Sequence, residues 1–339
     1  MESCLYVGIA GDTDPGRFYS AGIYRSRDRT GAWESIAAGL PTSPQVRSIV
    51  TDPARPGLVT VATQFGVFRS DDFGDHWRSL GAPEPELAVW SLGQHPTDPR
   101  IMYAGYEPFM IYRTADDGAT WEKLSVSVAF PDVSLYPVDL PKRATAFAFD
   151  ASKPEEVYVS IEIGGLLHSH DGGSTWRCLT DGLYINEDAI DLHSVVVDPR
   201  HPDVVTAAAR IGTFRSSDRG GHWRDLAIPL LRPRGSYCRA LAFAPNDSAT
   251  LYLGAGNDFD GDTGALFITR DDGRSWTEAD LGVPLRCTIF AVAIDPRRPD
   301  DVYCASKYGH IFLSRDRGST WQMTALPRGA GHVYALAAG

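Results

Sequence analysis

The sequence has no apolar run long enough for a membrane-spanning helix, which needs about 18 residues or more. It also lacks an excess of positive charge: 32 Lys and Arg stand against 43 Asp and Glu, a net charge of −11. A nucleic-acid footprint or an attraction to anionic lipid needs a basic surface, so no nucleic acid and no membrane is expected as a partner. Cysteine is scarce, and Cys4, Cys178, Cys238, Cys287 and Cys304 contain no CxxC pair. That spacing excludes a zinc knuckle or disulfide framework and reads as reduced thiols. The opening stretch Met1 to Val7 has no basic n-region, so the expectation is a cytoplasmic protein. No P-loop, dinucleotide fingerprint or nucleophile elbow is present.

What the sequence does have is a repeat. An octet of the form Ser/Thr-x-Asp-x-Gly-x-Ser/Thr-Trp recurs seven times. Thr114–Trp121, Ser169–Trp176, Thr269–Trp276 and Ser314–Trp321 fit it fully. Ser70–Trp77 and Ser216–Trp223 carry His76 and His222 in the hydroxyl place, and Ser26–Trp33 is degenerate. The repeated acids are Asp28, Asp72, Asp116, Asp171, Asp218, Asp271 and Asp316. A carboxylate at this place can accept backbone N–H bonds across a tight turn, Gly supplies a positive φ, and Trp packs on the hairpin base. These aspartates are therefore structural rather than catalytic.

Around each octet lie four short runs of β-formers, strands A to D, with the octet as the C–D turn. Val46–Pro53, Leu58–Thr63, Gly66–Arg69 and His76–Leu80 show the pattern. Four strands per repeat of about 48 residues describe a propeller blade. The first repeat lacks strand A, and His332–Ala337 looks like an orphan strand A. The expected fold is all-β: a single seven-bladed β-propeller of four-stranded antiparallel blades over residues 1–339, with Velcro closure by the C-terminal strand.

The octets resemble the Asp-box, or BNR, repeat. Propellers of that superfamily include sialidases, xyloglucan-cleaving enzymes, the sortilin ectodomain and a photosystem II assembly factor, so the resemblance implies a fold and leaves glycosyl-hydrolase-like and scaffold functions open. Arg47, Arg210, Arg239 and Tyr334 match pieces of a sialidase site, but the Phe-Arg-Ile-Pro motif is missing and sialidases have six blades. Xyloglucan-cleaving relatives hold their catalytic acids between two propellers, and this chain has one.

Strand order puts the B–C and D–A loops on one face, here the top. The long insertions all fall there: Gly11–Phe18, Ser125–Lys142, Thr180–Asp191, Pro229–Tyr237 and Asn257–Gly264. Aligning the repeats places Arg47, Trp90, Thr145, His193, Arg239, Phe290 and Tyr334 at the start of strand A, and Gln64, Glu107, Glu162, Arg210, Gly256 and Lys307 at the end of strand B. Such a mixture of charge and aromatics at a channel mouth fits a small-molecule pocket; the alternative is a solvated channel with compensating charges. In the first reading Glu162, Glu107 and His193 are acid–base or metal-ligating candidates. Arg47, Gln64, Trp90, Arg210, Arg239, Lys307 and Tyr334 are binding candidates. Asp258, Asp260 and Asp262 alternate as in a calcium loop, making Ca2+ or another divalent metal a candidate cofactor, though the distal bidentate Glu is absent.

Two functions follow. One is a small polar ligand, carbohydrate or carboxylate- or phosphate-bearing, held at the mouth, with hydrolysis or lyase-type elimination as the chemistry if the site is catalytic. The other is a non-catalytic scaffold or assembly factor that docks a protein partner on the long-loop face, through residues such as Phe130, Leu135 and Tyr136.

Overall fold

Strands form where the repeat carries β-branched and aromatic residues, and each ends at Gly, Asp or Pro. In a computed structural model, which describes residues 3–11, 21–27, 30–130, 141–183 and 186–339, these strands assemble into seven four-stranded antiparallel sheets. Asp28, Leu135, Tyr136 and most of the Gly11–Phe18 insertion lie outside the described residues. Blade 1 pairs His332–Ala338 with Cys4–Ala10, followed by Gly22–Arg27 and Glu34–Ser35. Blades 2 to 7 each use four consecutive strands, and their innermost strands begin at Ser48, Ala88, Arg143, Leu192, Tyr237 and Ile289. Innermost strands touch their neighbours all the way round, so the ring is closed.

The octets are the C–D turns. Two successive residues take positive φ in each fully described copy, as at Asp117 and Gly118 (62° and 85°) or Arg317 and Gly318 (58° and 84°). The Asp carboxylate holds this turn. Asp316 accepts Ser314 Oγ at 2.7 Å, Thr320 N at 2.8 Å and Thr320 Oγ1 at 2.6 Å. The Thr320 hydroxyl and N–H bonds lower its pKa to about 2.

The turns also join blades. Trp77 Nε1 donates to Ile36 O at 2.7 Å, and Trp121 Nε1 to Leu80 O at 2.7 Å, each reaching the preceding blade. In the other direction, buried arginines on strand C grip the next octet. Arg25 donates to Phe73 O at 2.6 Å and Asp75 Oδ1 at 2.7 Å, and Arg69 pairs with Asp117. Between blades the core is apolar, as in the Leu166, Leu192, Val205 and Phe214 cluster.

The channel differs at its two ends. Its lower end is lined by Val50, Phe147, Phe149, Phe243, Ile294 and Leu336 among others. Its middle and upper part is lined by Arg47, Trp90, Thr145, His193, Arg239, Phe290 and Tyr334. Six of these seven sit at a register shift of strand A: Trp90, Thr145, His193, Arg239, Phe290 and Tyr334 have no partner in the ladder. A bulge residue is released from pairing and can be turned toward the axis.

Two outcomes are expected. Ending the chain before His332 leaves Cys4–Ala10 an open edge, so the truncated protein should lose its cooperative thermal transition; a melt as sharp as the full chain's counts against closure as the fold's requirement. Asp316→Ala should lower Tm by a few degrees. Because the native carboxylate titrates below its ordinary value, the gap to the parent should be full above pH 4 and close as pH falls toward 2.

Candidate functional site

The upper mouth is a cavity of about 460 Å³ lined by Gly11, Arg47, Trp90, Glu107, Arg143, Glu162, Asp191, His193, Arg210, Tyr237, Asp258, Phe259 and Tyr334. It brings together Glu107, Glu162 and His193 with Arg47, Trp90, Arg210 and Tyr334. Arg239 lies in the adjoining channel segment with its guanidinium 5.0 Å from the Phe290 ring centre. Sequence comparison missed Arg143, Asp191, Tyr237 and Phe259. Arg143, Asp191 and Tyr237 stand two residues before Thr145, His193 and Arg239. Strand alternation carries that step to the same side, so the −2 positions form an upper tier that the repeat alignment could have shown.

Arg143 organises one side. Its Nε is 2.9 Å from Glu162 Oε2 and its Nη2 3.1 Å from Glu107 Oε1, while its guanidinium lies 4.2 Å from the Trp90 ring centre. Arg47 approaches the same ring at 4.9 Å and pairs with Gln45, leaving Nε and Nη1 buried without hydrogen-bond partners. Burial lowers the Arg47 pKa. Burial also pushes the Glu107 carboxyl up; Arg143 opposes this and Glu162 adds to it.

Asp191 and His193 are 2% and 4% exposed. His193 Nδ1 donates to Cys238 O at 2.7 Å, so in the neutral imidazole the proton sits on Nδ1 and Nε2 is a bare lone pair. That lone pair is 3.6 Å from Asp191 Oδ1, and neither atom has a hydrogen-bond partner. Burial and then Arg239 hold the imidazole well below its usual pKa, so it is neutral. Burial, reinforced by Glu162, raises Asp191 to about 7. An aromatic arc runs beside them: Trp90–Tyr334, Tyr334–Phe290, Phe290–Phe259, Phe259–Tyr237 and Tyr237–His193 have ring centres 6.1, 5.8, 5.5, 6.5 and 4.5 Å apart.

Other candidates are used inside the protein. Gln64 accepts Gln45 N at 2.7 Å and donates to Ser43 O at 3.0 Å, clamping the approach to Arg47. Lys307 is fully buried, with Nζ 3.6 Å from the Phe259 ring centre and paired with Asp260. The three loop acids do not converge. Asp260 goes to Lys307, Asp262 accepts Asn257 Nδ2 at 2.9 Å, and Asp258 lies 3.9 Å from Arg232. Among the described residues, the donors that do come together are Glu162, Asp191 and His193, all within 4.8 Å of one another. Phe130 is partly buried and packs on Phe109 with ring centres 5.2 Å apart.

No family model matches the chain. A probable oligoxyloglucan-reducing end-specific xyloglucanase of Neosartorya fischeri is 23% identical over 356 aligned positions, covering 89% of this chain and 43% of its own. The photosystem II assembly lipoprotein Ycf48 of a Synechococcus strain is 22% identical over 294 positions, covering 74% of this chain and 79% of its own. Among solved structures, a GH74 xyloglucanase from Xanthomonas campestris matches with TM-score 0.65 and 19% identity over 82% of this chain and 45% of that one. Ycf48 bound to a D1 peptide matches with TM-score 0.59 and 16% identity over 92% and 89%. These likenesses show the propeller fold. The chain spans less than half the length of those xyloglucanases.

The Asp191 environment gives a signed expectation. Between its ordinary 3.8 and about 7 the native state keeps a proton that the unfolded chain releases, so stability falls as pH rises through that window. In chelator-treated protein, Asp191→Asn should remove that slope and gain stability relative to the parent at pH 8. Parallel Tm–pH curves for the two proteins contradict this account of the carboxyl.

Proposed function

We propose that the upper mouth binds a small polar molecule carrying a carboxylate or phosphate, such as an acidic sugar, and that the adjacent carboxylates act on it by acid–base hydrolysis or elimination. The observation that carries this reading is the convergence on one cavity of buried polar atoms without hydrogen-bond partners, among them Arg47 Nε and Nη1, Asp191 Oδ1 and His193 Nε2. Each orphan of this kind costs roughly 1–3 kcal/mol. A ligand or its bound water offsets that cost at the site of use.

The roles follow from position. Arg47, Arg210 and Arg239 supply positive charge for the acid group. Trp90, already carrying Arg143 and Arg47 against its ring, and Tyr334 give the mouth an aromatic wall for the ligand's body. Glu162 and Glu107, oriented together by Arg143, are the general-base candidates. The xyloglucanase relatives support a carbohydrate-like ligand, and the activity itself belongs to this proposal.

A second reading has its own observation. Among the described residues, four of the five large apolar side chains that stand exposed, Phe65, Leu230, Val283 and Tyr308, fall in top-face turns. They support a protein partner across the mouth, and Ycf48 with its bound peptide is a neighbour in fold.

A thermal-shift screen in chelator separates the two. Sugars, sugar acids, organic acids and phosphate esters are tested against the parent, Glu162→Ala, Arg239→Ala and Leu230→Ser. A saturating ligand raises Tm by mass action. The small-ligand reading expects a hit lost in Glu162→Ala and Arg239→Ala and kept in Leu230→Ser. The absence of any hit, or a hit indifferent to both mouth substitutions, rejects it in favour of the protein partner.

A further inference from the structure

We infer that Glu162, Asp191 and His193 form a binding site for a transition-metal dication of the zinc, cobalt or manganese class at the floor of the upper mouth. Two acceptors confront each other there. His193 Nε2 and Asp191 Oδ1 face each other at 3.6 Å, buried, with no donor on either. Two lone pairs held this way repel unless a proton or a metal ion stands between them. The distance is too long for a direct hydrogen bond. It is close to the separation of ~3.3 Å expected for two ligands of a tetrahedral ion at about 2.0–2.1 Å each.

The surrounding contacts are those a metal ligand needs. The imidazole is fixed by its Nδ1–H bond to Cys238 O at 2.7 Å, the arrangement that aims and strengthens Nε2 as a ligand. Each carboxylate is oriented from one side by an arginine. Arg143 Nε is 2.9 Å from Glu162 Oε2, and Arg210 Nη1 is 4.0 Å from Asp191 Oδ2. Asp191 Oδ1 is thereby turned toward the imidazole. The donor atoms come from strand ends of blades 4 and 5: Glu162 closes Lys153–Glu162, and Asp191 and His193 flank the start of Leu192–Val197. Two of the three are therefore held rigidly, while Glu162, at 15% side-chain exposure, can rotate to close on an ion.

Ligand chemistry narrows the class. One imidazole and two carboxylates suit zinc, manganese, cobalt or ferrous ions, whereas calcium takes six to eight oxygens and no imidazole. Three protein ligands leave positions open toward the cavity, where water or a ligand's oxygen can enter. Arg143, Arg210 and Arg239 oppose a dication and weaken the site, and Glu107 offsets part of that charge from the far side of Arg143.

Cobalt(II) is the probe, read by visible absorption and by Tm, with the full chain first stripped by chelator. The parent should bind one Co2+ per chain with an absorption band of low-symmetry coordination and a raised Tm, and Zn2+ should displace it. His193→Gln and Asp191→Asn should weaken binding about ten-fold or more, while Asp262→Asn in the acidic loop should leave it unchanged. If the two buried variants fail to fold by circular dichroism, Glu162→Gln at the open side of the site serves instead. No saturable Co2+ binding by the parent, or an unaltered spectrum and affinity in His193→Gln, overturns the inference. These readouts contain no organic ligand. A screen hit in chelator with no Co2+ binding would therefore sink the metal site and leave the anion-binding proposal standing, and the converse result would do the reverse.

Discussion

Ring closure is the constraint on which the rest of the molecule depends. Neighbouring blades are not continued by a shared ladder; each sheet is four strands wide and ends there. Only in blade 1 do backbone hydrogen bonds join the two ends of the chain, through Cys4–Ala10 and His332–Ala338. Elsewhere, blades are held by apolar side chains, by inner-strand bonds such as Ser91 Oγ to Ala144 O, Thr145 Oγ1 to Leu192 O and His193 Nδ1 to Cys238 O, and by octet contacts that run both ways: tryptophan indoles reaching back and strand C arginines reaching forward. The turn carboxylate matters because it fixes the two positive-φ residues that aim those groups. The channel and its mouth exist only when these contacts close the circle.

Within that circle the two ends of one channel have become different solvents. The lower end is walled by aliphatic and phenyl groups, and the upper end crowds arginines against carboxylates beneath an aromatic arc. Low dielectric around the upper tier explains why its groups shift in opposite senses. Buried carboxyls at Asp191 and Glu107 resist ionisation, and buried His193 and Arg47 resist protonation. Arg143 is the common element, touching Glu107, Glu162 and the Trp90 face at once. A substitution there disturbs three candidate groups together, so its effects would not add to those of its neighbours.

Much of the architecture was legible because a repeat states its register seven times. The octets, the four-strand unit and the orphan strand could be aligned without knowing any contact. The same alignment found Arg47, Trp90, His193, Glu107 and Glu162, since equivalent positions in a ring face the same axis. It passed over Arg143, Asp191 and Tyr237, which stand two residues before the aligned position, at or just before the strand start, although the same register reaches them. Phe259 comes from the Asn257–Gly264 insertion, outside the repeated strands. Gln64 and Lys307 occupy the right place in the repeat, yet local geometry turns them into clamps for adjoining loops. The acidic loop read as a cation cradle because its acids alternate. Its cationic partners, Lys307 and Arg232, come from other repeats, and no local pattern announces them.

The bulges have a consequence for how such a protein can change. A side chain at Trp90, Thr145, His193, Arg239, Phe290 or Tyr334 is exempt from cross-strand pairing, so the sheet places little demand on what it is. The frame and the chemistry can therefore vary largely independently, with Thr145 and His193 also bonding the next blade. Mutation can sample new combinations of residues at these six seats while the ring goes on folding, and one architecture can be recruited to unrelated tasks by rewriting a handful of codons around its axis.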